Sequence, residues 1–206
     1  MGTMWDKRYE GDEYLFGTSP AAFLADREQF LRASAGKTCL AVADGEGRNS
    51  VFMAKCGIDV TSMDSSEIGQ AKAKKLAKAE DLSINFQVAD LRTWGWHENA
   101  FDLVVAIFIQ FADPVFRTEI FEGMKKTVKP GGTILLHGYT PKQIEYGTGG
   151  PGVAANLYTP EILADAFEGF EGFEIEALNA YDKVITEGTG HSGKSALIDL
   201  VARKPV

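Results

Sequence analysis

Five short apolar, β-compatible runs, "KTCLAVA", "IDVTSMD", "INFQVAD", "FDLVVAIFI" and "TILLHGY", limit what this chain can fold into, because helical or polar stretches part each from the next. The stretch "GRNSVFMAKCG" reads as a helix closed by Gly57. "SSEIGQAKAKKLAKAE" reads as a Lys- and Ala-rich helix capped by Ser65 or Ser66, and a third helix runs from Pro114 to Val128 before a "KPGG" turn. "LRTWGWHENA" shows no period. Strands alternating with helices require right-handed crossovers, so the class is α/β with a doubly wound, mostly parallel sheet. At the end, "FEIEALNAYDKVITEG" and "KSALIDLVARK" are two strand-like runs joined by a Gly/Ser turn, an antiparallel hairpin. Upstream, Ser19 as cap and Pro20 in the first turn open a helix reaching about Ala33.

With 206 residues, 45% of them hydrophobic, the chain is expected to form one domain, 1–206. It divides into an N-terminal lid and helix region (1–36), a core (37–139), a Gly-rich loop and helix (140–170) and the terminal hairpin (171–206). The net charge of -8 argues against a nucleic-acid partner, which calls for a positive footprint. Cys39 and Cys56 lack zinc or disulfide spacing, three scattered histidines make no metal site, and no apolar stretch reaches about 18 residues. The reading is a soluble protein of the reducing cytoplasm, with a small molecule or another protein as partner and no membrane.

One motif pulls the other way. Gly188-Thr189-Gly190-His191-Ser192-Gly193-Lys194-Ser195 satisfies G-x-x-x-x-G-K-S, the letters of a nucleotide P-loop. A working P-loop opens a helix, whereas Ala-Leu-Ile-Asp-Leu-Val-Ala follows here and alternates like a strand. The match therefore reads as a hairpin turn.

The chemistry-bearing signal lies after the first strand, where Gly45 and Gly47 stand between "CLAVA" and a helix and allow close backbone approach to a ligand. The second strand ends at Asp64, near the offset of about 20 residues at which a carboxylate accepts from a ribose diol. Nicotinamide dinucleotide and S-adenosylmethionine both meet these conditions. Ser50 occupies the place where a dinucleotide fingerprint has Gly or Ala, and Asp90-Leu91 stands where an adenine is contacted; both favour the methyl donor.

The motifs "DGEGRNS", "VTSMD", "VADL", "FDLVVAIF" and "VKPGGTILL" resemble the class I S-adenosylmethionine-dependent methyltransferases over nearly the whole chain. G-x-G-R-N-S and the opening "WDKRYEGDEYLFGTSPAAFL" resemble bacterial small-molecule enzymes of the tellurite-resistance (TehB-like) and thiopurine methyltransferase neighbourhood. The resemblance implies a seven-stranded Rossmann-like sheet in the order 3-2-1-4-5-7-6 with an antiparallel terminal strand. It implies S-adenosylmethionine as cofactor, S-adenosylhomocysteine as product and a small-molecule methyl acceptor. Gly45, Glu46 and Gly47 would touch the methionine part, with Ala43 and Asp44 in the same loop. Asp64 would serve the ribose, with Ser65 next to it among the cofactor-binding residues, Asp90 and Leu91 the adenine, and Ile107 and Phe108 would flank the methyl group. The family's acidic-x-Gly start is replaced by Ala41 and Ala43, leaving Asp44 or Glu46 as substitutes. The tellurite enzymes' His-Arg pair falls at Val184-Ile185, which argues against tellurite.

For the acceptor side the candidates are His137 and Tyr139 at the end of the fifth strand, Tyr146 in the Gly-rich loop and His191 in the terminal turn. Trp5 and Tyr9 are placed with the cofactor, as part of an aromatic lid or as core. A thiol or other soft nucleophile needs little base assistance. A noncatalytic S-adenosylmethionine-binding regulator is the alternative.

Overall fold

A computed structural model describes residues 2–168 and 172–206. The boundary at 170/171 between Gly-rich region and hairpin lies outside them. Two compact units emerge, one of residues 1–95 with 187–190 and one of 96–186 with 191–206.

In the first unit the helices are α1 (Gly2–Tyr9), α2 (Ala22–Ala25), α3 (Glu28–Ala33), α4 (Arg48–Lys55) and α5 (Glu67–Ala79). Its strands are β1 (Thr38–Val42), β2 (Asp59–Asp64) and β3 (Asn85–Val88). β2 pairs in parallel with both β1 and β3, and Leu40, Met53, Val60 and Met63 form buried core beneath the helices. Gly57 at φ 87 ends α4 as expected, and Ser66, not Ser65, caps α5 by accepting from Gly69 N at 2.9 Å.

The helix expected from Ser19 to Ala33 is two short helices. Arg27 accounts for the break: its guanidinium donates to Phe23 O at 2.9 Å, while its own amide turns to Leu24 O. Ser19 is not the cap either, since α2 is preceded by Ala21, whose amide donates to Asn49 Oδ1 at 3.0 Å. The helix α1 has no counterpart in the sequence reading, because charged and aromatic residues hide its short apolar face.

The second unit contains β4 (Phe101–Ile107), α6 (Pro114–Thr127), β5 (Val128–Tyr139), α7 (Gln143–Tyr146), a 3₁₀ turn (Ala154–Asn156) and α8 (Pro160–Glu168). The terminal strands β6 (Glu174–Glu187) and β7 (His191–Arg203) complete the chain. Asp113 caps α6 at Phe116 N, 2.9 Å away, with Pro114 in the first turn. The "KPGG" segment is not a free turn but an irregularity inside β5, as the register moves from Phe101↔Val128 to Leu103↔Thr133. β5 runs parallel to β4 and antiparallel to β7, which places His137 opposite both Ile107 and Asp199. The seven strands follow the order β3-β2-β1-β4-β5-β7-β6, as the resemblance implied.

Among the described residues, no helix is long and apolar enough to cross a membrane. Gly47 carries the tightest backbone demand near the loop after β1, with φ 86 and a Cβ position 2.5 Å from Ala73 Cβ on α5. Gly47→Ala combines left-handed strain with overpacking, and is expected to lower unfolding free energy by about 3 kcal/mol or more in urea denaturation. A loss below about 1 kcal/mol would show that α4 and α5 yield at this contact.

Candidate functional site

The loop after β1 is built by three left-handed residues, Ala43 (φ 49), Gly45 (φ 62) and Gly47 (φ 86), which turn the chain into α4. Gly45 N donates to Asp64 Oδ2 at 2.9 Å, while Asp64 Oδ1 accepts from Ser66 N at 2.8 Å. Asp64 thus joins the ends of β1 and β2 in one hydrogen-bonded corner. Its carboxyl is buried, and burial raises its pKa against the opposing pull of these amide bonds. Each oxygen has two lone pairs and accepts one amide hydrogen in these bonds, so Asp64 has the acceptor capacity that a ribose diol needs. Ser65, half-buried, follows directly.

Tyr9 lies over this corner. A Cβ on Gly45 would come within 2.6 Å of its hydroxyl, and one on Gly69 within 3.0 Å of its ring. Burial raises the Tyr9 pKa, and the Asp64, Glu46 and Asp44 carboxylates add to the rise. Trp5 stacks on Tyr9 at 5.5 Å between ring centroids, and Asp6 on the same helix accepts from Ser66 Oγ at 2.6 Å.

The polar side chains of the loop face the protein itself. Asp44 is half-buried as a residue, with its carboxyl turned inward to accept from Ser62 Oγ at 3.0 Å; burial lifts its pKa to about 6. Glu46 accepts from Leu15 N at 2.8 Å and pairs with Lys72 Nζ at 2.5 Å. Arg48 donates to Phe16 O at 3.3 Å and to Glu187 Oε2 at 2.7 Å, and Ser50 Oγ donates to Gly47 O at 3.0 Å. In these contacts "GEGRNS" holds the chain's own N-terminal segment. Half-buried Asp90 accepts from Arg92 N at 2.9 Å and begins a turn after β3, with Leu91 buried beside it.

In the second unit, Phe108 leaves β4 at φ 56 and centres a ring cluster, with centroids 4.7 Å from His137, 4.7 Å from Tyr139 and 4.4 Å from His191. Ile107 is the half-buried last residue of β4. His137 Nδ1 is 2.7 Å from Asp199 Oδ1, which also accepts from Tyr181 at 3.2 Å. Gln110 clasps Tyr139 by its amide and carbonyl, both at 2.7 Å. The structure therefore brings His137, Tyr139 and His191 together. Tyr146 has a different setting: its hydroxyl donates to Asp182 at 2.7 Å, and Lys194 Nζ lies 4.7 Å from its ring centroid.

Asp199, Tyr181, Gln110 and Asp6 went unnoticed in the sequence. Asp199 carried a legible signal, as a lone carboxylate within the apolar run "ALIDLVA". Among the described residues, no group of three His, Cys, Asp or Glu is placed to hold a metal.

The P-loop letters have no phosphate setting. His191 to Ser195 lie in β7, and the Thr189 and Gly190 amides both donate to Leu15 O at 3.0 Å.

Asp44 makes stability depend on pH. Its folded pKa of about 6 lies above the ordinary 3.8, so its contribution is complete below about pH 4 and lost as pH rises through 6. Asp44→Asn is expected to flatten the fall in urea stability between pH 4 and 7 and to equal or exceed the parent at pH 7.5. An unchanged slope would show that Asp44 is not the group responsible.

Residues 39–132 match the model of a methyltransferase domain. A probable S-adenosyl-L-methionine-dependent methyltransferase TehB of Haemophilus influenzae is 29% identical over 92 residues, which are 45% of this chain and 32% of the relative. The chain thus spans about a third of that relative's length. The crystal structure of TehB from Haemophilus influenzae aligns with a TM-score of 0.69 at 20% identity, covering 87% of this chain and 62% of the other. A structure described for the conversion of a disulfide bond into a thioacetal group during echinomycin biosynthesis aligns with a TM-score of 0.80 at 19% identity, over 100% of this chain and 92% of that one. The match from β1 to β5 makes this part of the chain a methyltransferase domain, similar to TehB of Haemophilus influenzae, and the whole chain shares the fold of these neighbours.

Proposed function

We propose that the chain transfers a methyl group from S-adenosylmethionine to a small-molecule acceptor, with a thiol or another soft nucleophile as the acceptor class. The observation that carries the cofactor reading is the Asp64 carboxyl at the ends of β1 and β2, which accepts from Gly45 N at 2.9 Å and from Ser66 N at 2.8 Å and keeps lone pairs for a ribose diol. Ser50 stands where a dinucleotide fingerprint has Gly or Ala, and a strand follows the P-loop letters, so a dinucleotide or nucleoside triphosphate has neither of its usual cradles. Asp64 is the ribose acceptor in this reading, and the backbone at Gly45 and Gly47 supports the methionine part. Tyr9 and Trp5 supply aromatic faces for the cation, and Asp90 and Leu91 serve the adenine.

When bound, the cofactor supplies a methyl carbon already activated by the positive sulfur. The residues' task is then alignment and exclusion of water, which in favourable cases supplies about 7–11 kcal/mol. On the acceptor side of this reading, half-buried Phe108 packs on the buried Tyr139 and His191 rings, and Asp199 orients the His137 ring. A sulfur nucleophile that arrives as a thiolate needs no proton removed in the transfer step, which fits a site without an assigned general base.

Calorimetric titration with S-adenosylmethionine, S-adenosylhomocysteine, NAD and ATP tests the cofactor reading. Both adenosyl sulfur compounds are expected to bind, and Asp64→Ala to weaken them at least tenfold. Binding of NAD or ATP alone would refute the reading. Incubation with a panel of thiols, thiopurines and oxyanions, read as S-adenosylhomocysteine formation, then tests the acceptor class; turnover of the oxyanions alone would overturn it.

A further inference from the structure

The stretch Glu187-Gly188-Thr189-Gly190 opens the P-loop-like segment, and a methyltransferase reading leaves it without a task. In the structure it belongs to the first unit, with the glycine loop and the N-terminal segment. Both Glu187 oxygens are engaged, Oε1 by Ala22 N at 3.1 Å and Oε2 by Arg48 at 2.7 Å. The side chains of this ion pair are each 7% exposed, so the two charges face one another largely out of water. Thr189 N and Gly190 N donate to Leu15 O, while the amide of Leu15 donates to Glu46 of the loop. A side chain on Gly188 would meet the backbone at Leu15, Phe16 and Gly17, and one on Gly190 would meet the Phe16 ring. These glycines therefore allow the tip to lie directly on the N-terminal segment.

From these contacts we infer that the Glu187–Gly190 tip is a latch for the cofactor loop, with Glu187 as a positioning residue that acts through Arg48. Arg48 follows Gly47 directly and begins α4, so its fixed guanidinium sets the start of that helix against the loop. The latch holds segment 15–22 across the same loop by main-chain bonds to Glu46, Arg48, Asn49 and Glu187. The segment in turn continues from α1, which lays Tyr9 on Gly45 and Gly69. Closing the latch and binding the cofactor are then linked, and each favours the other. The inference rests on the proposed S-adenosylmethionine site.

Two variants of the full chain separate this role from a purely structural one. Glu187→Gln keeps the acceptor for Ala22 N and removes the charge facing Arg48. Ala22→Pro removes only the donor to Oε1, at the first residue of α2, where proline is tolerated. Affinity for S-adenosylhomocysteine is measured by calorimetry at 20 °C, beside melting temperature and the rate of trypsin cleavage after Lys7 and Arg8. In the parent protein the ligand is expected to slow that cleavage. Glu187→Gln is expected to weaken binding at least tenfold and abolish the protection, and Ala22→Pro to weaken binding about threefold. Should Glu187→Gln fail to fold, Ala22→Pro decides. Parent-like affinity and protection in the folded variants, with only a lowered melting temperature, would overturn the latch. A parent protein that binds neither adenosyl sulfur compound would instead refute the cofactor reading, and this inference with it.

Discussion

The bond from Gly45 N to Asp64 is the constraint around which the first unit is arranged. It closes the gap between the ends of two parallel strands, where neither strand can satisfy the amide itself. Glycine is required because the loop turns through the left-handed region and because Tyr9 approaches too closely for a side chain. Aspartate is required because one carboxyl must accept from Gly45 on one side and Ser66 on the other. The same geometry brings a carboxyl to the carboxyl edge of the sheet, where open α/β sheets bind ligands. Fold and proposed function therefore use one residue for two purposes.

Much of this was legible in the chain. Apolar runs of strand length and a closing glycine after "FMAKC" report local rules, and local rules set β1, α4, β2 and α5. Ser66 and Asp113 act as caps for the same reason. The failures came where a distant partner decides. Arg27 breaks a helix because its side chain returns to Phe23 O, and Asn49 takes the amide that Ser19 was expected to serve at a helix start. The irregularity at "KPGG" depends on its pairing with β4, which sequence periodicity does not encode.

The site was legible by position more than by role. Gly45, Gly47 and Asp64 fall at the corner expected of them, but the polar residues between and after the glycines turn inward. Glu46, Arg48 and Asn49 would look like ligand contacts from spacing alone, since charged residues beside a glycine loop suggest recognition. Their partners are Leu15, Phe16, Glu187 and Ala21, up to 139 residues away. In the second unit, His137 and His191 were visible as isolated polar residues, while the carboxyl that orients His137 stood 62 positions later in another strand.

The P-loop letters in the tail show what a motif requires beyond spelling. In a phosphate cradle, consecutive amides point into one concavity and the following helix adds its positive end. Here Thr189 and Gly190 direct their amides to a carbonyl of the same unit, and a strand follows. Glycine serves close approach in both settings, so the letters coincide although the donors face different partners. What decides between the settings is the element after the lysine. An alternating apolar run such as Ala196 to Ala202 belongs in a sheet, and a sheet leaves no helix terminus for a phosphate to meet.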